Sequence, residues 1–394
     1  MERKVISLAP QNKCTGCAAC VDACSKQCIS LNEKKLHYYP VINEEECIAC
    51  GKCMTSCPVL QGKQLVDESF KQTYAGAYIK DLDTRWHCTS GGVGSALAQF
   101  GIDNDWFVCG AAFDNDFNLR HIIGDDMQCV EELRGSKYLQ SNMQGVYIKL
   151  AELLKENKKV LFFGTPCQVD ALQRYTTKNN DNLLTVAILC HGVNSPFVWK
   201  DYVAELEKKT KSKLQWYNFR TKEMGGWRRQ LAIAMKFENG REKKEFSFCN
   251  QFHVWFGKHY ILRESCFQCA YRVEQRTADI TIGDFWGIES VLPQLETKNG
   301  ISVVICSSQK GADFFSSLNN VERLVVDQKK TPLVLRGFLS NVNPEAVTLQ
   351  KNNQKEFIDY YKSHSFDNVC RNYPAKSRCW YYIQAIKSRL KFRK

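Results

Sequence analysis

The chain has 394 residues, a formal net charge of +12 and 20 cysteines. Its length exceeds that of a typical single core, so we expect two or three domains. With 44% hydrophobic and 24% charged residues, the composition is that of a globular protein. The positive charge favours acidic partners or an anionic cofactor, but the sequence contains no nucleic-acid motif, so we expect no nucleic-acid partner.

The sequence offers no signal for a membrane or for export. No apolar run reaches the roughly 18 residues that a transmembrane helix requires. The first residues, MERKVISLAPQNKC, contain no apolar stretch of the length found in secretory signals. We therefore predict a cytoplasmic protein. In that reducing compartment, closely spaced cysteines are more typical of metal sites than of disulfides.

Two cysteine runs dominate the N-terminal part, CTGCAACVDAC and CIACGKCMTSCP. Both have the spacing Cys-x2-Cys-x2-Cys-x3-Cys of bacterial two-cluster ferredoxins, in which the fourth cysteine of each run reaches the other cluster. Zinc, the alternative, prefers two separated cysteine pairs. We therefore predict a ferredoxin domain over residues 1–62 with two [4Fe-4S] clusters, one bound by Cys14, Cys17, Cys20 and Cys57, the other by Cys24, Cys47, Cys50 and Cys53.

Between the runs, SLNEKKLHYYPVIN predicts a β-hairpin, and the polar residues 63–73 predict a linker. Cys28 is a ninth cysteine of this domain, which we interpret as a small buried apolar side chain. Neither predicted cluster keeps a free coordination site. The domain is therefore expected to relay electrons rather than to bind a substrate.

From residue 74 to about 330, short apolar strands alternate with helices. TYAGAYI, DWFVCGAAF and LRHIIG predict strands, and MQGVYIKLAELLKENKK predicts an amphipathic helix. VLFFGTPCQVDALQRY and LLTVAILCHGVNSPFVWKDYVAELEKK each read as strand, turn and helix, and LAIAMKF and ADITIGDFW predict further strands. We therefore predict an α/β (α+β) module with a mostly parallel sheet, followed by a helical C-terminal extension over 331–394.

Three stretches lie where ligands gather in such sheets, at the carboxyl ends of strands and the N-termini of helices. CTSGGVGSAL suits a phosphate, but an ordinary capped helix explains it equally well. GTPCQ places Cys167 at a helix N-terminus, where a thiolate is favoured. LCHG places Cys190 and His191 at another strand end.

A further cysteine pair, Cys266 and Cys269, stands at ligand spacing in RESCFQCAYR. Cys167 and Cys190 would complete four thiolates if this segment folds over the sheet edge, and Arg263 and Arg272 could offset the negative charge. We predict a third [4Fe-4S] cluster at Cys167, Cys190, Cys266 and Cys269. A zinc site, a redox disulfide and a purely structural pair remain alternatives.

Together, the ferredoxin runs and the stretches TSGGVGSALA, GSKYLQS, VLFFGTPCQVDAL, LLTVAILCHGVNSP, ESCFQCAYR and ADITIGDFWGIE resemble the beta subunits of coenzyme F420 hydrogenase and dehydrogenase. This family binds FAD beside an iron–sulfur cluster and passes electrons between the flavin and a two-electron carrier. The resemblance implies FAD close to Ser90, Gly91, Gly92, Lys137, Tyr138, Gly164, Thr165 and Gln168.

On this basis we predict an oxidoreductase that takes electrons from reduced ferredoxin or a partner subunit and reduces a small organic substrate. His191 and Asp284 are candidates for proton transfer, although His191 could instead orient its turn. An electron-transfer subunit without a substrate of its own is the alternative. The basic end, YYIQAIKSRLKFRK, could form a helix on an anionic membrane, a solvated tail or a helix docked on the protein.

Overall fold

The computed structural model describes residues 6–67, 69–176, 181–227, 231–339 and 343–377. Among these residues there is no helix whose length and apolar character would let it cross a membrane. The basic C-terminal segment, for which we weigh membrane contact, lies outside the described residues from position 378 onward.

The N-terminal part repeats one small unit. Its elements are α1 (Ala19–Asp22), β1 (Ile29–Lys34), β2 (His37–Ile42), α2 (Lys52–Thr55) and α3 (Pro58–Gln61). The predicted hairpin is confirmed as β1 and β2, which pair antiparallel. In each cysteine run, two residues between the thiols adopt a positive φ: Gly16 and Ala18 in the first, Ala49 and Gly51 in the second. These left-handed residues coil the chain tightly enough to turn three successive cysteines inward.

The hairpin turn is unusual because Lys35 and Leu36 both have positive φ, at 50° and 63°. Turns of this type favour Asn-Gly, and a left-handed conformation costs other residues about 1 kcal/mol or more each. Two contacts offset that cost. Leu36 is buried in the hydrophobic core of the following module, where Ser195 donates a hydrogen bond to its carbonyl at 2.6 Å, and the Lys35 ammonium lies 3.0 Å from Glu264.

The strands of the body form two sheets. They are β3 (Thr73–Ile79), β4 (Trp106–Phe113), β5 (Leu119–Gly124), β6 (Lys159–Gly164), β7 (Leu183–Ile188), β8 (Leu214–Thr221), β9 (Ala232–Phe237), β10 (Glu242–Phe246), β11 (Ile280–Asp284), β12 (Ser302–Cys306) and β13 (Val321–Val325). The large sheet has the order β13-β3-β12-β11-β7-β6-β4-β5, and the small antiparallel sheet has the order β10-β9-β8.

The predicted α/β module is confirmed. Its parallel centre consists of β4, β6, β7 and β11. Antiparallel strands flank this centre, with β5 on one side and β12, β3 and β13 on the other. β11 and β12 are joined by a loop without a helical crossover, which is why they can pair antiparallel.

The helices of the body are α4 (Leu82–His87), α5 (Val93–Asp103), α6 (Met127–Leu133), α7 (Val146–Lys155), α8 (Pro166–Tyr175), α9 (Pro196–Thr210), α10 (Gln251–Gly257), α11 (Gln309–Ser316), α12 (Lys330–Val334), α13 (Arg336–Leu339), α14 (Pro344–Ser363) and α15 (Phe366–Asn372). Successive residues of β6 serve opposite faces of the large sheet: Leu161 packs with α5, whereas Val160 and Phe162 pack with α7 and α8. Both faces are therefore covered, as a parallel sheet requires.

The small sheet packs on an aromatic core formed with α9 and α10. Trp199, Phe219 and Phe252 lie in this core, and Phe357 of α14 is buried against it. The run LAIAMKF is confirmed as a strand, β9, although it belongs to the small sheet. The C-terminal helix α14 is thereby fixed to the body through this core.

Candidate functional site

The eight cysteines of the two runs line two cavities. One cavity is lined by the thiols of Cys14, Cys17, Cys20 and Cys57, which we call the inner group. The other is lined by Cys24, Cys47, Cys50 and Cys53, which we call the outer group. Each predicted set of four cysteines thus lines one cavity, and the fourth cysteine of each run crosses to the other set. Cys53 also lines the inner cavity, and Cys28 also lines the outer one.

The two groups differ in their access to solvent. Cys50 of the outer group is exposed, whereas Cys14, Cys17 and Cys57 of the inner group are buried. Burial raises the pKa of Cys17 to about 12, and the neighbouring thiols add to the shift. Bound iron would reverse this direction because it stabilises the thiolate, so cluster binding would release protons.

Cysteines of neighbouring groups influence one another's pKa, which shows which groups lie next to each other. Cys53 of the outer group helps to raise the pKa of Cys20 in the inner group. Cys167 of the body helps to raise that of Cys17. Tyr147 is a neighbour of both Cys17 and Cys167, and its hydroxyl donates to the Cys17 carbonyl at 2.9 Å. The inner group therefore stands between the outer group and the body.

In the body, Cys167 and Cys190 lie at the ends of the adjacent parallel strands β6 and β7. Pro166 begins α8, so Cys167 occupies its first turn, with Sγ 3.1 Å from the Thr165 hydroxyl oxygen. The side-chain carbonyl of Gln168 accepts from the Thr165 amide at 2.9 Å. Parallel strands end at one edge of a sheet, which is why two thiols distant in sequence meet here.

The segment with Cys266 and Cys269 folds onto this edge. The Arg263 amide donates to the Val193 carbonyl at 2.9 Å. Gly192 allows the close approach, because a Cβ there would lie 3.1 Å from the Cβ of Cys266. The thiols of Cys269, Cys190 and Cys266 all contribute to the raised pKa of Cys167. The structure thus brings the four predicted thiols together, and we call them the body group.

Arginines surround the body group. Arg276 is an electrostatic neighbour of Cys269 and Cys190, and Arg272 is a neighbour of Cys269. The Nε atoms of both arginines are buried without a hydrogen-bond partner. Unpaired buried donors are costly, so their presence beside four thiols fits an acceptor-rich, negatively charged iron–sulfur cluster.

A single metal ion fits the thiols less well. Throughout the described ranges, no three His, Cys, Asp or Glu side chains converge closely enough to hold one ion. Zinc needs four ligands around one point at about 2.3 Å from each sulfur. A four-iron cluster instead binds each thiolate at a separate iron, so it accepts a wider arrangement.

A polar group lies beside the body group at the same sheet edge. Asp284 ends β11, and the Leu189 amide donates to the Ile282 carbonyl at 2.8 Å, which places Cys190 next to this strand end. The Asp284 carboxylate pairs with Arg220 at 2.8 Å and accepts from the indole N–H of Trp227 at 2.7 Å. Its oxygens are therefore occupied by an ion pair and an indole.

The same arginine joins other residues to this group. Arg220 donates to the Tyr138 hydroxyl at 2.9 Å and lies 5.3 Å from the ring centre of Trp286. Trp227 and Trp286 stack with ring centres 4.3 Å apart. We call Tyr138, Arg220, Trp227, Asp284 and Trp286 the tryptophan group. It offers a planar aromatic surface and a cation, which suit an aromatic, anionic ligand.

Lys222 connects three backbone segments at this edge. Its ammonium donates to the carbonyls of Ser90 and Asn299 at 2.8 Å each, and to that of Arg85. Burial lowers the pKa of Lys222 to about 7. Lys222 therefore fixes the segment with Ser90, a predicted flavin residue, against the end of β8.

Close packing accounts in large part for the presence of glycine at positions 91 and 92. The Gly91 amide donates to the Ser302 hydroxyl at 3.0 Å, and a Cβ on Gly91 would lie 2.4 Å from the Ala77 carbonyl oxygen. Gly92 has a φ of 83°, and a Cβ there would lie 2.7 Å from Ile79 Cγ2. Because neither glycine has a side chain, the start of α5 can pack closely against β3 and β12.

We therefore expect Gly92→Ala to lower the free energy of unfolding by about 2 kcal/mol, since both φ and the Ile79 contact oppose it. Gly135→Ala is the matched control: its φ is 86°, but a Cβ there meets open space. Urea unfolding of both variants would measure the difference. Equal losses would show that the contact with Ile79 has no energetic role.

The remaining predicted site residues have local partners. The Lys137 ammonium donates to the carbonyls of Glu132, Leu133 and Arg134 at 2.9–3.1 Å and so caps the end of α6. Gln168 closes the start of α8, and a Cβ on Gly164 would lie 2.7 Å from the Phe162 ring. Lys137 in particular has its donors engaged by the backbone.

His191 follows Cys190 and forms a pair with His259, with 2.9 Å between the two Nε2 atoms. Burial lowers the pKa of His191 to about 4, and His259 and Arg272 add to the shift. At neutral pH the imidazole is therefore uncharged. One of the two Nε2 atoms must donate and the other accept.

Sequence reasoning missed Arg220, Lys222, Trp227 and Trp286. Trp286 stands within ADITIGDFWGIE, beside the predicted Asp284, and the other three lie in FRTKEMGGW. The available signal was Arg220 near the end of a strand, followed by Lys222, two successive glycines and Trp227. Only the folded chain brings Arg220 and Trp227 next to Asp284 at the end of β11.

Comparisons with known proteins find relatives of both parts of the chain. Residues 13–60 and 39–93 each match a 4Fe-4S dicluster domain, and residues 157–331 match the C terminus of the beta subunit of coenzyme F420 hydrogenase/dehydrogenase. An uncharacterized protein of Methanocaldococcus jannaschii is 23% identical over 378 residues, which cover 81% of this chain and 94% of that protein.

Among solved structures, the F420-reducing [NiFe] hydrogenase complex from Methanosarcina barkeri, studied by xenon derivatization, is similar to this chain. The match has a TM-score of 0.45 and 16% sequence identity, and it covers 76% of this chain and 97% of that chain.

The fold and the cysteine groups define an iron–sulfur redox protein in which a ferredoxin-type domain precedes an α/β module. Residues 157–331, which form the larger part of that module, match the C terminus of the coenzyme F420 hydrogenase/dehydrogenase beta subunit and are related to it.

Proposed function

We propose that the protein is a flavin-dependent iron–sulfur oxidoreductase that moves electrons from the outer group through the inner and body groups to FAD. The proposal rests on the family match and on one observation. The outer group shares Cys53 with the inner cavity, the body group stands at the paired ends of β6 and β7, and the tryptophan group lies beside it at the end of β11. When bound, the clusters carry single electrons, and FAD collects two for an organic acceptor such as coenzyme F420.

The residues at the sheet edge suit the part of such a site that binds a flavin. The stacked indoles of Trp227 and Trp286 offer a flat surface, and Arg220 provides positive charge for an anionic ligand. Asp284 holds Arg220 in place through its ion pair. In this proposal Asp284 positions Arg220, which gives it a different role from the proton transfer considered above.

His191 is uncharged at neutral pH and hydrogen-bonded to His259, so it could accept a proton at the edge of the body group. The same hydrogen bond would equally serve to orient the loop that carries Cys190. We therefore keep His191 as the candidate for proton transfer, with orientation of this loop as its alternative role.

The test is to purify and reconstitute the full chain without oxygen, then to measure iron and extractable flavin. About twelve irons and one FAD per chain are expected. Rapid mixing with dithionite should then show bleaching of the clusters followed by bleaching of the flavin. Protein that holds about eight irons and no flavin after reconstitution with FAD would contradict the proposal.

A second candidate function is an electron-transfer subunit of a larger complex, since the family includes subunits of hydrogenases and dehydrogenases. Catalytic turnover by the isolated chain distinguishes the enzyme from the electron-transfer subunit. The isolated chain should reduce coenzyme F420 or a flavin-accepting dye with reduced methyl viologen as the donor. A flavin that is reduced but never reoxidised by any such acceptor would favour the subunit.

We expect Lys222→Met to weaken FAD binding by about tenfold while the iron content stays unchanged. The change removes the three hydrogen bonds that fix the Ser90 segment, so this segment should no longer be held in place for the flavin. Fluorescence of flavin released by acid, together with an iron assay, would measure both quantities. Lys298→Met, at an exposed lysine nearby, is the control and should keep its flavin.

A further inference from the structure

The outer group contains a fifth thiol that the ferredoxin spacing does not use. Cys28 lines the same cavity as Cys24, Cys47, Cys50 and Cys53. Its Sγ lies 3.4 Å from the Sγ of Cys24. It is buried, as predicted from the sequence, but its neighbours are sulfur atoms rather than apolar side chains alone.

The hairpin fixes Cys28 in this position. Cys28 immediately precedes β1, and its carbonyl accepts from the Asn43 amide at 2.7 Å, next to the pairing of Ile29 with Ile42. Because β2 leads directly into the second cysteine run, this pairing holds Cys28 against the side of Cys47. Cys47 is also an electrostatic neighbour of the Cys28 thiol.

Cys24 ends the first cysteine run, where its amide donates to the Val21 carbonyl at 3.1 Å and its carbonyl accepts from the Gln27 amide at 2.9 Å. It is followed by the exposed residues 25–27, of which Gln27 has a φ of 53°. Two sulfur atoms 3.4 Å apart are too close to serve two different irons of one cluster, so they compete for a single corner. The position that Cys24 occupies is thus open to Cys28 after a small movement of the side chain.

We propose that Cys28 is a reserve ligand of the outer group that binds iron in place of Cys24. In this exchange, an iron–sulfur bond to Cys28 forms as the bond to Cys24 breaks, and the proton of the Cys28 thiol passes to Cys24. The iron keeps its oxidation state. The inference rests on the proposed outer cluster, whose exposed ligand Cys50 makes it the cluster nearest to solvent.

The inner group provides a matched control within the same domain. Cys57 is the counterpart of Cys24, the last cysteine of its run and the ligand that crosses to the other group. Four residues after Cys57 the chain has Gln61, where Cys28 stands four residues after Cys24. The cysteines that line the inner cavity are its own four and Cys53, which belongs to the outer group.

The test compares Cys24→Ala, Cys57→Ala, Cys28→Ala and the double variant Cys24→Ala/Cys28→Ala in the full chain, reconstituted without oxygen. Cys24→Ala and Cys28→Ala should each keep the wild-type iron content, and Cys24→Ala should show a shifted electron paramagnetic resonance signal. Cys57→Ala and the double variant should each lose about four irons. The signals of the remaining clusters show that each variant is folded.

A loss of about four irons in Cys24→Ala, equal to that in Cys57→Ala, would overturn the reserve ligand while leaving the proposed function intact. Equal iron in the single and double Cys24 variants would overturn it as well, because Cys28 would then not be the replacement. Wild-type protein that takes up no iron would instead overturn the proposed function, and the inference with it.

Discussion

Alanine at both Cys266 and Cys269 will lower the iron content by about four atoms per chain and leave about eight. These two thiols supply half of the body group, and the other half, Cys167 and Cys190, is fixed by the ends of β6 and β7. Two thiolates cannot retain a four-iron cluster, so the site will stay empty. In the proposed relay, reduction of the flavin by electrons from the inner group should become far slower, because the inner group loses its neighbour.

The measurement combines an iron assay with rapid mixing. In the double variant, dithionite should still bleach the ferredoxin clusters, while the flavin should lag far behind the wild-type rate. Cys370→Ala is the control, since Cys370 lies among Lys209, Glu205 and Asp367, away from the three groups. Full iron content in the Cys266/Cys269 variant would refute the third cluster.

Arg263→Gln should have the second large effect, on both stability and redox potential. Arg263 is fully buried. It donates to the Cys14 carbonyl at 2.7 Å, to the Tyr38 carbonyl at 3.0 Å and to the Gln140 side chain at 2.8 Å. A buried acceptor that loses its donor costs about 1–3 kcal/mol, so we expect a total loss of about 3 kcal/mol.

The same substitution removes a positive charge that faces the inner group. The Arg263 guanidinium lies 3.5 Å from Cys14 Sγ, and Cys266 of the body group follows three residues later. A cation beside a cluster stabilises the reduced, more negative form. The potential of the inner cluster should therefore become more negative in Arg263→Gln.

Potentiometric titration followed by electron paramagnetic resonance would measure this shift, and thermal unfolding would measure the loss of stability. The control is Lys35→Gln, because the Lys35–Glu264 pair lies at the same domain contact but is half exposed. Such a pair contributes about 0–1 kcal/mol. An unchanged inner potential in Arg263→Gln would contradict the electrostatic role while leaving the structural role open to the stability measurement.

The parts of the site that follow from short-range spacing could be predicted from the sequence. Three cysteines two residues apart must face one centre, and a strand followed by Gly-Thr-Pro must end where a helix begins. The meeting of Cys167 with Cys190 follows from the rule that parallel strands end at one edge. These inferences use the order of residues within one or two elements.

The tryptophan group could not be predicted in this way, because Tyr138, Arg220 and Asp284 come from three elements separated by more than sixty residues. The antiparallel placement of β12 and β13 depends likewise on which edge remains open after the parallel centre has formed. Lys137, which the family resemblance implies as a flavin residue, stays a prediction; the structure adds that its ammonium donates to the last carbonyls of α6.

The hairpin turn at Lys35 and Leu36 determines how the ferredoxin-type domain can act. Because its strained backbone is compensated by Leu36 in the core of the neighbouring module, undocking would cost both the burial and the relief of strain. We therefore expect the ferredoxin-type domain to stay docked on the body. In the proposed relay, the rate of electron transfer to the body should then be insensitive to solvent viscosity.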